Sequence, residues 1–410
     1  MNKFYSYALA LMLTAVVCLP QLSSAQELSK ANAPTWVHNA LEVVGKQAKG
    51  MLKDVKKNQQ TPRSIERGLR ASSDWTSGFY PGILWYLYEY SGNEKWRQDA
   101  ATVTAYLEKE QYSNHDHDIG FRIYCSYGNG YLLTGEEQYK KAVVNAAKAL
   151  STRFNDKTQT IMSWNANEER DWKYPVIIDN MMNLELMFEA TRFSGDPSFT
   201  TIAIKHALQT MKFHYRSDFS CPHVVDYDVE TGAFRRMDYN NGFSDPKTAA
   251  WSRGQSWGLY GFTLMYRETG DTQYLAFAEN IAEYLLNHPN MPDDMVPYWD
   301  YNAPKIPTMR DASAAAIMAS GLLELSTYSK EGHKYYKAAE LMLQSLSSEK
   351  YLAKPGSNGH YVIKHATGNY LNGSEVDGTL IYADYYYTEA LLRYIKLNNN
   401  QSIFSYDPRQ

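Results

Sequence analysis

The sequence lacks the features that mark several common classes of protein. It has no glycine-rich phosphate loop, no Gly-x-Ser-x-Gly nucleophile elbow and no zinc-binding signature, so we expect no metal and no cofactor. No basic tract stands out and the formal charge is −4, which argues against nucleic acid binding. There are only three cysteines. Beyond Cys18, the remaining Cys125 and Cys221 are as compatible with two buried thiols as with a disulfide.

One long apolar run is present, and it lies at the N-terminus. Lys3 precedes an apolar segment from Tyr7 to Leu19, followed by Ser23-Ser24-Ala25. This pattern predicts a signal peptide over residues 1–25, and hence a periplasmic or secreted protein. The run is short for a membrane anchor. Cys18 allows a lipoprotein as the second choice, although Val17 stands where such signals carry a small residue. No later segment is apolar enough to span a membrane.

Strand signals are scarce, and apolar residues recur at the spacing of three and four that is typical of helices. A unit repeats in which an apolar, aromatic-rich helix ends at a glycine turn and an amphipathic helix follows. We expect left-handed C-caps at the turn glycines, which are Gly92, Gly135, Gly195, Gly270 and Gly332. Their separations are too irregular for a uniform open solenoid. We therefore predict that residues 26–410 form one all-α domain, an (α/α)6 toroid of about six helical hairpins; the alternative is an open α-solenoid.

The predicted helices leave long segments between the hairpins. The first helix covers Gly82–Tyr90, and the final one, Tyr385–Leu397, has Thr35–Val55 as its partner. The four pairs between them are Tyr124–Leu133 with Tyr139–Leu150, Met181–Phe193 with Phe199–Met211, Trp257–Tyr266 with Tyr274–Leu286, and Ala312–Tyr328 with Tyr335–Leu346. Function is generally carried by loops on a rigid scaffold. The long loops are Gln111–Phe121, Asp156–Ile178, Ser217–Arg253, with a β-hairpin at Val224–Arg236, and Asn287–Arg310.

Two acids, Asp118 and Asp179, stand where a loop enters an apolar inner helix. Apolar surroundings make a carboxylate costly to ionise, so both pKa values are expected to rise, as a general acid near neutral pH requires. The alternative is that each aspartate is an N-cap, which would hold its pKa down. Two such acids at equivalent repeat positions favour a paired catalytic site.

Other polar clusters admit two interpretations. His115-Asp116-His117-Asp118 resembles a metal site, but adjacent residues point in different directions, so we discount a metal and expect His117 to contact substrate. The segment Trp251–Gly258 is rich in sugar-binding residue types. There Arg253 suits bidentate pairing with a uronate carboxylate, and Trp251 and Trp257 suit stacking on sugar rings. A structural arginine beside two core tryptophans is the alternative.

Five motifs together resemble glycoside hydrolase family 88, the unsaturated glucuronyl hydrolases. They span most of the chain and are Trp75–Gly82, His117–Phe121, Ile178–Asn183, Trp251–Gly258 and Asp384–Leu391. The resemblance implies an (α/α)6 barrel that releases 4,5-unsaturated uronic acid from the non-reducing end of oligosaccharides left by polysaccharide lyases. The chemistry implied is hydration of the ring double bond, with glycosaminoglycan disaccharides as the first-choice substrate.

The resemblance also implies roles for individual residues. Asp179 would protonate the double bond and help to deliver water, while Asp118 would hold sugar hydroxyls and raise the Asp179 pKa by its charge. The residues expected to bind substrate are His117, Trp164, His223, Asn241, Arg253 and Trp257. Asn241 stands where family members carry Gln. Near the C-terminus Asn369–Ser374 replaces the Ser-x-x-Ser-x-Lys of some sulfate-accepting members, with Lys364, His365 and Asn372 as candidate substitutes.

Three alternatives remain at this level. The chain could hydrolyse unsaturated fragments of rhamnogalacturonan or ulvan in place of glycosaminoglycans. It could be a sugar epimerase on the same barrel, although that chemistry rests on paired histidines and His223 has no obvious partner. It could also be a non-catalytic sugar-binding protein, which would leave the two acids at the entrances to inner helices without a purpose.

Overall fold

The computed structural model describes residues 28–243 and 245–404. Its helices alternate between inner and outer positions of a ring. They are α1 Thr35–Asn58, α2 Phe79–Ser91, α3 Glu94–Ala105, α4 Ile119–Ile123, α5 Asn129–Thr134, α6 Glu137–Ser151, α7 Asn180–Ser194, α8 Ser198–Phe213, α9 Ser252–Thr269, α10 Thr272–Leu286, α11 Ala312–Leu325, α12 Gly332–Leu346 and α13 Ile381–Asn398. Short 3-10 turns occupy Leu28–Lys30, Glu108–Tyr112 and Asn358–His360.

The inner helices close on themselves. In order, α2 packs on α5, α4 on α7, α7 on α9, α9 on α11, α11 on α13 and α13 back on α2. Helices buried on all sides must be apolar all round, and every residue of α11 is buried. Outer helices such as α6 bury only one face. The closed ring confirms the toroid and excludes the open solenoid.

Four of the five predicted glycine caps are confirmed. Gly92, Gly135, Gly195 and Gly270 follow their helices with φ between 63 and 74°, the left-handed conformation that glycine adopts without strain. The prediction for Gly332 was wrong, because this residue begins α12 and α11 ends at Leu325. Gly332 is needed there for space, since a Cβ would lie 2.2 Å from the carbonyl oxygen of Ser326.

Seven short strands stand on the loops. They are β1 Thr61–Ser64, β2 Gly68–Arg70, β3 Phe154–Asn155, β4 Thr160–Ile161, β5 Pro175–Ile177, β6 Val224–Tyr227 and β7 Phe234–Asp238. The hairpin expected at Val224–Arg236 is confirmed as β6 and β7, and β5 adds a third antiparallel strand with Ile177 opposite Val224. This sheet holds the residues that follow β5 against those that precede β6.

The second inner helix and the two remaining cysteines can also be compared with the sequence-based expectations. The second inner helix is not the continuous Tyr124–Leu133 helix that we predicted, because a π-helical segment, Tyr124–Gly128, separates α4 from α5. Cys125 and Cys221 are both buried free thiols. Within residues 28–243 and 245–404 no helix has the length and apolarity to cross a membrane. The predicted signal peptide, with Cys18, lies outside the described residues.

Candidate active site

A cavity of about 270 Å³ opens at one end of the toroid. Five inner helices begin beside it, because Trp75 precedes α2, Asp118 precedes α4, Asp179 precedes α7, and Arg253 and Tyr382 lie in the first turns of α9 and α13. Helix N-termini carry partial positive charge and unpaired N–H groups. The cavity is therefore suited to an anionic ligand.

The two acids predicted from the sequence both line this cavity, and each is paired with a histidine. His223 Nε2 lies 3.3 Å from Asp179 Oδ1, and His117 Nε2 lies 3.3 Å from Asp118 Oδ1. Both aspartates occupy the N-cap positions of their helices, as the alternative expected, but neither side chain makes a capping hydrogen bond, so neither carboxylate is committed to its helix. The contacts lack full hydrogen-bond alignment, and within the described chain Asp179 Oδ1 and both Nε2 atoms have no hydrogen-bond partner. Asp179 and His223 line the cavity, so their unpartnered atoms are placed to meet a ligand.

The protonation state of His223 is defined by its other nitrogen. The backbone N–H of Asn241 donates to His223 Nδ1 over 2.8 Å. A nitrogen that accepts a hydrogen bond carries no proton, so the ring is the neutral tautomer with its proton on Nε2. That N–H is directed at Asp179 Oδ1.

The charge balance differs from the sequence-based expectation. Burial would raise the pKa of Asp179, but contact with His223 and the positive charges of His117 and Arg253 lower it below its usual value. The predicted increase was therefore wrong for Asp179, and no effect of Asp118 on it is resolved. Burial does raise the pKa of Asp118, against the opposing charge of His117. The pKa of His117 rises despite its burial, because Asp118 lies beside it.

Arg253 lies on the cavity wall with most of its guanidinium committed to protein partners. Nη1 donates to Asp311 Oδ2 at 2.8 Å and to the carbonyl of Thr367, and Nη2 donates to the carbonyl of Gly368. The guanidinium also packs on the ring of Trp251 at 4.5 Å. The described chain provides no acceptor for its Nε–H or the second N–H of Nη2, so one edge remains open for a carboxylate.

The other predicted site residues divide into two groups. Trp164, His223 and Asn241 line the cavity as expected, and Trp164 meets the ring of His223 edge-on at 5.6 Å. Trp257 does not line it: the side chain is fully buried between Phe121 and Tyr386. The expected stacking role of Trp257 was therefore wrong. His117 is fully buried behind Asp118, so it supports that acid and is not itself on the cavity surface.

Several lining residues were missed. Trp75 lay in a motif but had no assigned role, and Trp251 was considered only for stacking. Arg63 and Glu375 also line the cavity, but no sequence pattern indicated them, because their ion pair, Nη2 to Oε2 at 2.8 Å, joins distant parts of the chain. Among the described residues, no three His, Cys, Asp or Glu side chains, those of His115 to Asp118 included, are grouped so that they could hold a metal ion. Asp116 binds Arg122, with Oδ1 2.9 Å from Nη2.

Comparison with known proteins places this cavity in context. The profile of Glycosyl Hydrolase Family 88 matches residues 47–397. An unsaturated glucuronyl hydrolase of Formosa agariphila is 44% identical over 324 residues, which cover 78% of this chain and 80% of that protein. A crystal structure of an unsaturated glucuronyl hydrolase specific for heparin superposes with a TM-score of 0.84 at 41% identity, covering 92% of this chain and all of that one. A Streptococcus agalactiae variant complexed with dGlcA-GalNAc6S has a TM-score of 0.76 at 27% identity, covering 94% and 98% of the two chains.

Proposed function

The chain belongs to glycosyl hydrolase family 88 and is a glycoside hydrolase, an unsaturated glucuronyl hydrolase, and we propose that Asp179 carries its proton transfers. The observation that supports this role is the His223–Asp179 pair, in which a buried carboxylate oxygen without a hydrogen-bond partner in the described chain faces the cavity. Asp118, on the same cavity and paired with His117, is proposed to hold sugar hydroxyls.

The proposed reaction hydrates the C4=C5 double bond of the terminal uronate. Asp179 gives its proton to C4, and the positive charge that develops at C5 is shared with the ring oxygen. Water adds to C5 and returns a proton to the Asp179 carboxylate, so the acid is regenerated. The resulting hemiketal opens by cleavage of the bond between C5 and the ring oxygen. C5 becomes a ketone as its hydroxyl proton passes to the ring oxygen, which is then a hydroxyl on C1. This hemiacetal becomes an aldehyde as its proton passes to the glycosidic oxygen and the bond from C1 to the neighbouring sugar breaks.

This role needs a protonated Asp179, whereas the pKa of this residue is lowered in the free protein. Substrate binding is proposed to raise the Asp179 pKa again. The uronate carboxylate is proposed to bind the open edge of Arg253, one of the cations that lower the Asp179 pKa. Neutralising that cation and displacing water both favour the protonated acid. The substrate thereby prepares Asp179 for its own hydration.

The substrate is proposed to be an unsaturated disaccharide from a glycosaminoglycan. Two relatives support this choice: one is an unsaturated glucuronyl hydrolase specific for heparin, and a variant of another forms a complex with dGlcA-GalNAc6S. Fragments of rhamnogalacturonan or ulvan are the second candidate. The test is the loss of ultraviolet absorbance of the conjugated double bond, using unsaturated disaccharides from heparan, chondroitin, hyaluronan and pectin. Loss with a glycosaminoglycan fragment supports the proposal, whereas loss with the pectin fragment alone contradicts it.

We also propose that the enzyme is exported, on the strength of the Lys3, apolar-run and Ala25 pattern at its N-terminus. Lyase products are generated where polysaccharides are degraded, so export would bring enzyme and substrate together. N-terminal sequencing of the mature protein is expected to begin at Gln26. Recovery of an uncleaved chain in the cytoplasmic fraction contradicts export.

A further inference from the structure

The loop that holds His223 in its tautomer has two arms. The first arm, Asn241–Phe243, provides the N–H that His223 Nδ1 accepts. The second arm, Asp245–Ala250, leads into Trp251, whose ring lies 4.5 Å from the ring of His223. His223 is therefore contacted by the residues at both ends of one loop. Its position depends on how these two arms are held together.

Asp300 joins the two arms. Its carboxylate is fully buried and accepts the N–H of Phe243 at 2.7 Å on Oδ2 and the N–H of Ala250 at 3.1 Å on Oδ1. It also accepts the N–H of Asn302 at 2.8 Å, which fixes the carboxylate to its own segment. A buried acceptor of this kind defines the separation of the groups that donate to it.

A second clamp acts on the outer side of the same loop. The guanidinium of Arg216, which follows α8, donates to the carbonyls of Ala249 at 3.0 Å and Pro246 at 2.5 Å. Asp300 thus holds N–H groups of the loop while Arg216 holds its carbonyls. Both clamps act on the backbone, so the loop sequence itself gives little sign of them.

We propose that Asp300 is a positioning residue for the hydration step, because it sets the Asn241 N–H against His223 Nδ1 and so keeps the protonated Nε2 of His223 facing Asp179 Oδ1, 3.3 Å away. The proposal rests on the proposed function of Asp179. Asp300 makes no contact with the cavity surface, so it acts only through His223. Without the Asn241 N–H, the ring could carry its proton on Nδ1 and present a bare Nε2 to Asp179.

The energetics of Asp300 agree with a role beyond stability. Burial raises its pKa to about 6, against the opposing effect of the backbone N–H groups that it accepts. The ionised form present at pH 7 to 8 therefore costs the fold stability, since the folded protein would hold the proton more tightly than the unfolded chain does. A neutral residue would avoid this cost, but a single side-chain oxygen cannot accept all three N–H groups in the present geometry.

The direct test compares Asn241→Pro with Asn241→Ala. Both variants lose the side chain, but only proline also removes the N–H. We expect kcat of Asn241→Pro to fall at least tenfold below that of Asn241→Ala with KM within about twofold, since small misplacements at a reacting centre cost up to about 100-fold. Equal kcat values for the two variants would overturn the proposal.

The role of Asp300 is tested with Asp300→Ala and Asp300→Asn. The alanine variant loses every acceptor and is expected to lose kcat by about the same factor as Asn241→Pro, with KM little changed. Asparagine keeps one oxygen that can still accept both arms, so it should recover most of the loss. Asp384→Asn is the matched control, because this buried aspartate accepts the N–H groups of Val362 and Ile363 elsewhere. Its kcat should equal that of the wild type.

A readout independent of activity is ¹⁵N NMR of histidine-labelled protein, with His223 assigned by its absence in His223→Gln. The wild type should show an unprotonated Nδ1, and Asp300→Ala a mixture of tautomers. An unchanged tautomer, or wild-type kcat, in folded Asp300→Ala overturns the proposal. If Asp300→Ala does not fold, Asp300→Asn is tested alone and in the Asn241→Pro background. Asn241→Pro already lacks the N–H through which Asp300 is proposed to act, so any further loss of kcat in the double variant overturns the proposal. Failure of the proposed function appears separately, as absent turnover by the wild type with the tautomer still fixed.

Discussion

Replacing Asp179 by asparagine tests the proposed chemistry most directly, because it removes a titratable proton and almost preserves the shape of the side chain. Asp179 is 8% exposed, and within the described chain its Oδ1 has no hydrogen-bond partner. The lowered pKa means that the carboxylate adds some stability above its unfolded pKa, and this part is lost in the variant. We expect only a small decrease, with thermal unfolding within about 3 °C of the wild type.

The expected loss of activity follows from the two proton transfers assigned to Asp179. General acid or base catalysis contributes about 100-fold to 10,000-fold, and here one carboxyl serves both the protonation of C4 and the deprotonation of water. At the lower limit for each step, kcat falls by about 10⁴, which corresponds to about 5.5 kcal/mol of barrier. KM should change little, since an amide can replace the carboxylate in contacts with sugar hydroxyls.

The assay is the initial rate of ultraviolet absorbance loss with the preferred disaccharide, alongside circular dichroism to verify folding. Asp171→Asn is the matched control, because this exposed carboxylate binds Arg235 and Arg236 away from the cavity. It should retain wild-type activity. A folded Asp179→Asn variant with more than about a tenth of wild-type kcat would refute the assignment.

Three further predictions follow from the site and the core. Asp118→Asn should lower kcat/KM by at least about 100-fold with an increase in KM, measured in the same assay; an unchanged KM contradicts its role in holding the sugar. Trp164→Ala should raise KM with little change in stability, whereas Trp257→Ala should cost about 3–5 kcal/mol of unfolding free energy, and denaturant unfolding distinguishes them. Burial raises the pKa of Glu185 to about 7, so its contribution is present below about pH 4.5 and lost as pH rises towards 7. Glu185→Gln should therefore match the wild type at pH 4.5 and be more stable at pH 8, by up to about 3 kcal/mol; equal stability at pH 8 contradicts this.

The sequence predicted the local parts of the fold well. Helical periodicity and turn glycines are properties of short segments, so most helices and four of the five caps could be placed. The exception at Gly332 shows the limit, because this glycine is required by a close approach to the carbonyl of Ser326 and not by a left-handed turn. A glycine alone does not distinguish these two reasons. The π-helical break after α4 likewise has no periodic signal.

The site was predicted less completely than the fold. Trp251 and Trp257 stand six positions apart in one motif, yet Trp251 precedes α9 and lines the cavity, whereas Trp257 lies inside the helix and fills the core. Which tryptophan meets substrate depends on where the helix begins, and no cap signal marks that residue, since Trp251 makes no side-chain cap bond. The family resemblance assigned both to the cleft segment and could not separate them.

The sign of the Asp179 pKa shift could not be predicted, because the groups responsible are contributed by other loops. The apolar neighbours in sequence argue for an increase, but His223 and Arg253 reach the carboxyl only in the folded chain. In the free enzyme, these nearby groups lower the free-energy cost of burying an ionised Asp179. We expect a bound uronate carboxylate to neutralise one of the cations, Arg253, and so to favour the protonated acid.

An Asp179 whose pKa rises when substrate binds should give two different pH profiles. The pH dependence of kcat/KM reports groups in the free enzyme, and that of kcat reports groups in the complex. Because the pKa of Asp179 is lowered in the free protein and should rise when a uronate carboxylate neutralises Arg253, the basic limb of kcat should lie at higher pH than that of kcat/KM. Arg253→Met removes the cation in both states, so it should bring the two limbs together, with a higher KM from the lost carboxylate contact. Coincident basic limbs in the wild-type enzyme would mean that substrate does not load the acid, and that Asp179 takes its proton by another route.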